Sequence, residues 1–332
     1  MRRREFIFLL CGMATAGPPR ASAQRPAMPV IGFVSSSSTS PSGPVAQAMT
    51  AFQQGLREDG GFVEGQNVTI EYRGAGGQYD RLPELLSDLI RRQVNLIVAS
   101  GGLVSAVHAR AATKTIPILF IAGFDPVETG LVTSLGHPGG NATGVSVNTT
   151  ELAQKRAELL HNLVPKTTKI ALLVNPKTNR GASHAEIESV EEATRKLGVK
   201  LIVVEASRES DFEAAFASAT RQQADALSVS ADPFFTPRRA QIVALAARHR
   251  LPAVYPWREY VEAGGMMSYG PTITWAYHQL GIYASRILKG AKPGDLPVQQ
   301  PTKFDWVINE TTVQALGLTV PRIIRTGAEF IQ

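Results

Sequence analysis

Small hydroxyl, glycine, acidic and aromatic residues recur in short clusters, each placed just after an apolar run. The clusters are Ser35 and Ser36 at the head of a serine run, Ser100-Gly101-Gly102, Gly123-Phe124-Asp125-Pro126, Asn175-Pro176, Ala231-Asp232-Pro233 and Tyr255-Pro256-Trp257, with Tyr269 in Ser268-Tyr269-Gly270. This chemistry holds a ligand rather than breaking a bond. Small residues at a helix start let an anion such as a carboxylate approach free backbone N–H groups. An aspartate can take a cationic nitrogen. Tyr and Trp give an apolar wall with a polar handle. Each cluster also has a purely structural use. Asp125 and Asp232 precede prolines and can cap the following helices. The serine run can be a solvated loop, and Tyr255 and Trp257 can be core. Tyr72, Arg73 and Tyr79 read as structural.

Motifs for catalysis are missing. No G-x-S-x-G, P-loop or G-x-G-x-x-G occurs in its required setting. Residues 74–77 are glycine-rich but lack that spacing and read as a turn. The six histidines are scattered without a metal-type pair, and the single cysteine, Cys11, cannot build a multi-cysteine zinc site. Carboxylate pairs such as Glu191-Glu192 fall on helix faces away from the clusters. No enzyme, cofactor or metal is therefore expected.

The clusters need a scaffold that brings distant loops together. Apolar runs at 30–34, 68–72, 94–99 and 118–121 alternate with helical patterns at 45–56, 82–90 and 104–112. The rhythm restarts after Thr150, with helices at 151–163, 187–197, 212–221 and 240–248. The intervening strands are 170–174, 201–204, 226–229 and 253–255. A helix over 275–288 and a strand over 303–308 follow. Repeated β-α alternation predicts an α/β fold of parallel sheets with helices on both faces. Residues 94–117 and 226–252 follow the same order of strand, serine, helix and Xaa-Pro. That order suggests two lobes of similar architecture. In such sheets ligands bind beyond the carboxyl ends of the strands, where every cluster lies.

The chain has 332 residues, 44% hydrophobic and 19% charged. It is long enough for two domains and too apolar for disorder. No run of about 18–20 apolar residues is present, so no spanning helix is expected. Residues 1–23 read as an export signal. Arg3-Arg4-Glu5-Phe6-Ile7 precedes a short apolar core, and Ala21-Ser22-Ala23 gives a small-residue cleavage site. The paired arginines fit twin-arginine export, and an ordinary secretory signal with a basic start is the alternative. Both lead out of the cytoplasm, with cleavage near Ala23. Loss of four arginines and one glutamate lowers the formal charge from +6 to +3. No basic run longer than a pair remains, so no nucleic-acid partner is implied.

Several segments in this order resemble a known family. They include Pro29-Val30-Ile31-Gly32-Phe33, Val63-Glu64-Gly65-Gln66-Asn67-Val68, Gln78-Tyr79-Asp80-Arg81-Leu82-Pro83 and Gly139-Gly140-Asn141-Ala142-Thr143-Gly144. Further along stand Ala231-Asp232-Pro233-Phe234-Phe235, Gly264-Gly265-Met266-Met267-Ser268-Tyr269-Gly270 and Ile287-Leu288-Lys289-Gly290-Ala291-Lys292-Pro293. Together they resemble the ABC transporter substrate-binding proteins, a family with tryptophan and aromatic amino-acid binding members. The resemblance covers essentially the whole chain.

It implies the type I periplasmic-binding fold, in which two α/β lobes joined by three hinge crossings close on a ligand. Residues 28–145 plus 273–297 would form the first lobe, and 150–269 plus 302–320 the second. The crossings would fall near 144–150, 270–273 and 297–302. It also implies a monomeric periplasmic receptor that hands a small organic ligand, an amino acid or an aromatic or carboxylate compound, to an ABC permease. A receptor for a membrane sensor, or a small-molecule α/β enzyme, is the alternative. The backbone at Ser100 to Gly102 would hold a carboxylate, and Asp125 or Asp232 an amino group. Tyr255, Trp257 and Tyr269 would pack the ligand body, with Ser35, Ser36 and Asn175 completing the wall. Gly101-Gly102 and the serine-rich first loop depart from the family pattern where the ligand lies, so ligand identity does not transfer.

Overall fold

The computed structural model describes residues 28–37, 44–178 and 180–332. The export-signal segment, Cys11 and the later part of the serine run lie outside the described residues. The first sheet is built from β1 (Val30–Ser35), β2 (Thr69–Gly74), β3 (Leu96–Ser100), β4 (Ile118–Ala122) and β5 (Ala142–Ser146). Its spatial order is β2-β1-β3-β4-β5, with every neighbour pair parallel. Strands β3, β4 and β5 are buried along their whole length. That is why their sequences read as continuous apolar runs instead of alternating ones. Helices α1 (Pro44–Gly60), α2 (Leu82–Arg91) and α3 (Leu103–Ala112) cover the sheet.

The second lobe repeats the pattern. It contains α4 (Thr149–Leu163), β6 (Lys169–Val174), α5 (Arg180–Lys196), β7 (Lys200–Glu205), α6 (Asp211–Arg221), β8 (Ala226–Val229), α7 (Arg239–Arg248), β9 (Ala253–Tyr255), α8 (Arg258–Glu262) and β10 (Met267–Gly270). The chain then makes α9 (Ile273–Leu288), β11 (Asp305–Asn309), α10 (Glu310–Ala315), α11 (Arg322–Arg325) and β12 (Glu329–Ile331). The second sheet runs β12-β11-β10-β9-β8-β6-β7. Read from β7 to β10 it has the same strand order as the first sheet. The late strand β11 lies antiparallel to β10, and β12 lies parallel to β11 at that edge.

Helix α9 follows the second lobe in sequence but packs on α1 of the first. Phe52 and Leu56 of α1 and Ala276, Leu280 and Ala284 of α9 are fully buried there. Each large side chain so buried contributes about 1.5–3 kcal/mol of transfer free energy. Polar pairs flank the seam, with Glu58 to His278 at 2.8 Å and Ser285 donating to Asp59 at 2.9 Å. The helices approach closely because Gly55 and Gly281 face the opposite backbone.

The chain passes between lobes after β5, after β10 and after Gln299. The first and third passages are tied. Ser146 N–H donates to the Gln299 carbonyl at 2.9 Å, and Gln299 N–H to that of Gly144 at 2.9 Å. The second and third meet where Thr272 donates to Asp305 at 2.7 Å. Among the described residues no helix is long and apolar enough to cross a membrane.

Candidate functional site

Both sheets have a point where consecutive chain segments leave in opposite directions, between β1 and β3 and between β6 and β8. Loops at such points diverge and leave a crevice. Here the two crevices face each other across a cavity of about 150 Å³. That is the size of an engineered cavity that takes up benzene. Ser35, Ser100, Gly101 and Gly102 line it from the first lobe, and Asn175, Ser230 and Asp232 from the second. Trp257, at the start of α8, adds an aromatic wall.

Gly102 precedes α3 with φ of +84°, a conformation that glycine adopts at little cost. A Cβ there would meet Pro233 of the opposite lobe at 3.1 Å. This glycine therefore allows both the entry into α3 and the approach of the lobes.

Four residues expected in the wall lie elsewhere. Tyr255 is in the core of the second lobe, stacked on Tyr260 with ring centroids 4.9 Å apart. It belongs to β9, whose residues are all buried. Tyr269 stacks on Phe304 at 6.0 Å, by the antiparallel edge. Asp125 is exposed and accepts from the Val127 N–H at 2.7 Å, closing a turn; no helix follows it for it to cap. Ser36 is buried behind the wall, and its hydroxyl donates to the Gly101 carbonyl at 2.5 Å. None of these four lines the cavity.

Phe33, Tyr277, Glu186 and Glu259 were not singled out from the sequence, and Phe124 only as part of its loop. Phe33 on β1, Phe124 after β4 and Tyr277 on α9 present rings to the cavity, with Phe33 and Tyr277 stacked at 6.4 Å. Glu186 and Glu259 also line it. Helix α5 starts at Arg180, earlier than its apolar pattern indicates, and so carries Ser183 and Glu186 into the wall.

Asp232 is nearly fully buried and is held from several sides. Its Oδ1 accepts from the Tyr79 hydroxyl at 3.1 Å, Asn175 Nδ2 at 3.1 Å and the Phe234 N–H at 2.8 Å, while Oδ2 accepts from Thr178. Burial raises its pKa, and these donors oppose that shift. Tyr79 belongs to the first lobe, so its hydroxyl bridges the cleft. Ser37 adds a second bridge, donating to the Pro233 carbonyl at 2.9 Å. Replacing Tyr79 with Phe should remove two bridging bonds, the one to Asp232 and the one that Asn175 Nδ2 donates to the Tyr79 hydroxyl at 3.4 Å, each worth about 0.5–1.5 kcal/mol, and shift the lobes toward separation. Small-angle scattering should then give a larger radius of gyration for the ligand-free Tyr79→Phe protein. An unchanged radius would mean that these bonds do not bear on closure.

Beside Asp232 lies a buried ion pair. Arg156 of α4 is fully enclosed, and its Nη2 lies 3.4 Å from Glu186 Oε1 and 3.2 Å from the Thr149 carbonyl. Burial pushes the Glu186 carboxyl up to about 7, against the pull of Arg156 and with help from the Asp232 charge. Burial also lowers the Arg156 pKa. Since the folded pKa of Glu186 exceeds its ordinary value of 4.5, its contribution to stability is greatest below 4.5 and is lost as pH rises to about 7. Melting curves between pH 5 and 8 should show this fall, and Glu186→Gln should flatten it. Equal slopes in the two proteins would remove Glu186 as its source. Among the described residues no cluster of His, Cys, Asp and Glu could hold a metal ion.

Comparison with known proteins places the fold and the family. A curated tyrosine-binding protein of Clostridioides difficile (strain R20291) is 29% identical over 261 residues, 79% of this chain and 74% of that protein. The crystal structure of a conserved domain protein of Vibrio cholerae gives a TM-score of 0.82 at 25% identity, over 92% of this chain and all of that one. A Streptococcus pneumoniae domain in complex with L-Trp gives 0.81 at 24% identity, over 92% and 99%. The description of the family "ABC transporter substrate binding protein" matches residues 35–330, and the chain belongs to that family.

Proposed function

We propose that this chain is the exported receptor of an ABC importer and that it captures an aromatic amino acid, or a close aromatic amine, by closure of its lobes. The observation that carries the reading is the cavity itself, walled by the facing crevices of both sheets. Phe33, Phe124, Tyr277 and Trp257 supply surfaces for a ring. The small residues before α3 leave room for a carboxylate at its N-terminus. The tyrosine-binding relative and the structure with L-Trp lend the ligand class.

Closure buries the ligand and assembles the surface that a permease reads. Arg3-Arg4-Glu5-Phe6-Ile7 and Ala21-Ser22-Ala23 support export to the periplasm, with a twin-arginine signal cleaved near Ala23. A monomer suffices, because one chain supplies both walls.

A thermal-shift screen of the purified protein tests the reading. A ligand at about 100 times its dissociation constant should add about 2.7 kcal/mol of stability. The expected result is a shift with tyrosine, tryptophan or phenylalanine, each recovered unchanged. A response only to sugars or nucleosides would overturn the ligand class, and a product recovered in place of the ligand would point to an enzyme.

A further inference from the structure

Three charged side chains line the cavity among the described residues, Glu186, Asp232 and Glu259, and all three are acidic. They differ in what already occupies them. Asp232 accepts from four protein donors, close to the capacity of a carboxylate. Those donors come from both lobes and hold it as a cross-cleft tie. Burial and the neighbouring Glu262 raise the pKa of Glu259, with Arg239 and Arg258 opposing, and it lies at the start of α8, on a different element from the Arg156–Glu186 pair. Glu186 has one guanidinium contact, at 3.4 Å, with the Ala231 backbone N–H as a further partner.

With both carboxyls ionised, the charges beside Asp232 do not balance. Arg156 supplies one positive charge against Glu186 and Asp232 together. A buried negative charge without a cation is costly, and the cavity is where a cation can enter. Arg156 itself does not line the cavity and is fully enclosed, so it supports Glu186 from behind.

We propose that Glu186, not Asp232, reads the protonated nitrogen of the ligand, with Arg156 as a positioning residue that fixes the carboxylate from behind. The ligand class is a primary ammonium on an aromatic body. This deepens the proposed function and rests on its reading of the cavity as a capture site. The site then selects for the amine. Deaminated aromatic acids, which bring a second uncompensated negative charge into an acidic cavity, are rejected.

Calorimetric titration separates the possibilities. The probes are L-tryptophan, tryptamine and indole-3-propionate, with L-tyrosine, tyramine and 3-(4-hydroxyphenyl)propionate as a second set. The unaltered protein should bind amine-bearing probes and refuse the deaminated acids. Glu186→Gln should weaken the amine-bearing probes about 30-fold or more, since it strips a buried charge of its partner. Glu186→Asp should recover part of the loss. Because Glu186→Gln leaves Arg156 unpaired, the double variant Arg156→Met/Glu186→Gln is measured beside it and should show the same selective loss.

Binding of tryptophan or tyrosine by Glu186→Gln as tightly as by the parent would overturn the inference and leave the proposed function standing. Equal binding of amines and deaminated acids by the parent protein would do the same. Binding of tryptamine or tyramine but of neither amino acid would instead overturn the amino-acid reading. The inference then stands if Glu186→Gln loses those amines and falls if it keeps them. Failure of every probe with the parent protein would overturn both.

Discussion

Replacing Arg156 with methionine is expected to destabilise the protein by about 3–5 kcal/mol, the cost of removing one partner from a buried ion pair. That is a large fraction of the 5–15 kcal/mol, on the order of magnitude, that holds a typical domain folded. Arg156 sits on the inner face of α4 among Ala153, Ala157 and Leu160, and α5 closes over it with Val190 and Ala193. Water cannot take over the role of the guanidinium there. Glu186 would be left beside Asp232 and would take up a proton to survive, since its pKa is already raised with Arg156 present. The double variant Arg156→Met/Glu186→Gln should regain much of the loss, because it removes both charges. Urea unfolding of the three proteins measures both effects. A loss below about 1 kcal/mol for Arg156→Met, the size of an exposed pair, would mean that solvent reaches this pair.

Alanine at Gly281 should also destabilise, although alanine is the better helix former by about 1 kcal/mol. Packing decides the sign. A Cβ on Gly281 would overlap the carbonyl oxygen of Phe52, and one on Gly55 would overlap that of His278. Both obstacles are backbone atoms, so no rotamer change relieves them. The helices must separate, which loosens Phe52, Leu56 and Leu280 along the seam. Forced overpacking of this kind costs about 1–3 kcal/mol, enough to outweigh the propensity gain. Denaturant midpoints for Gly281→Ala and Gly55→Ala should both fall. A rise in either would mean that the helices part at little cost.

The scaffold was legible in the sequence wherever hydrophobic pattern decides. Strands β1, β3, β6 and β8 are buried runs ending in small polar residues, and the serine, glycine and asparagine at their ends do line the cavity. Strands without an apolar run were not legible. β5 holds Thr143 and Gly144, where no apolar run marks a strand, and β12 spans three residues. The charged part of the site was hidden for a different reason. Glu186 and Arg156 lie on helices rich in Glu, Lys and Arg, where a solvated face is the ordinary expectation. Only the packing of α4 on α5 buries them. Tyr79 meets Asp232 across 153 residues of chain, a pairing no local pattern encodes. Asp125 and Asp232 share the same Asp-Pro context, yet one is exposed and the other buried. Asp232 is enclosed by Asn175, Thr178 and its own turn as well as by Tyr79 of the opposite lobe.

The seam between α1 and α9 also sets an order on folding. Glu58 and His278, in contact there, are 220 residues apart. The apolar face of α1 is made early and must wait for a helix that follows nearly the whole second lobe. Strands β6 to β10, with their helices, form one uninterrupted stretch of chain and can assemble on local contacts alone. Closing so long an intervening loop slows the search, so α1 should find α9 only after β6 to β10 have assembled. A chain cut short before α9 would expose Phe52 and Leu56 to solvent and to one another's copies. An emerging polypeptide thus cannot finish its first lobe from its own N-terminal half.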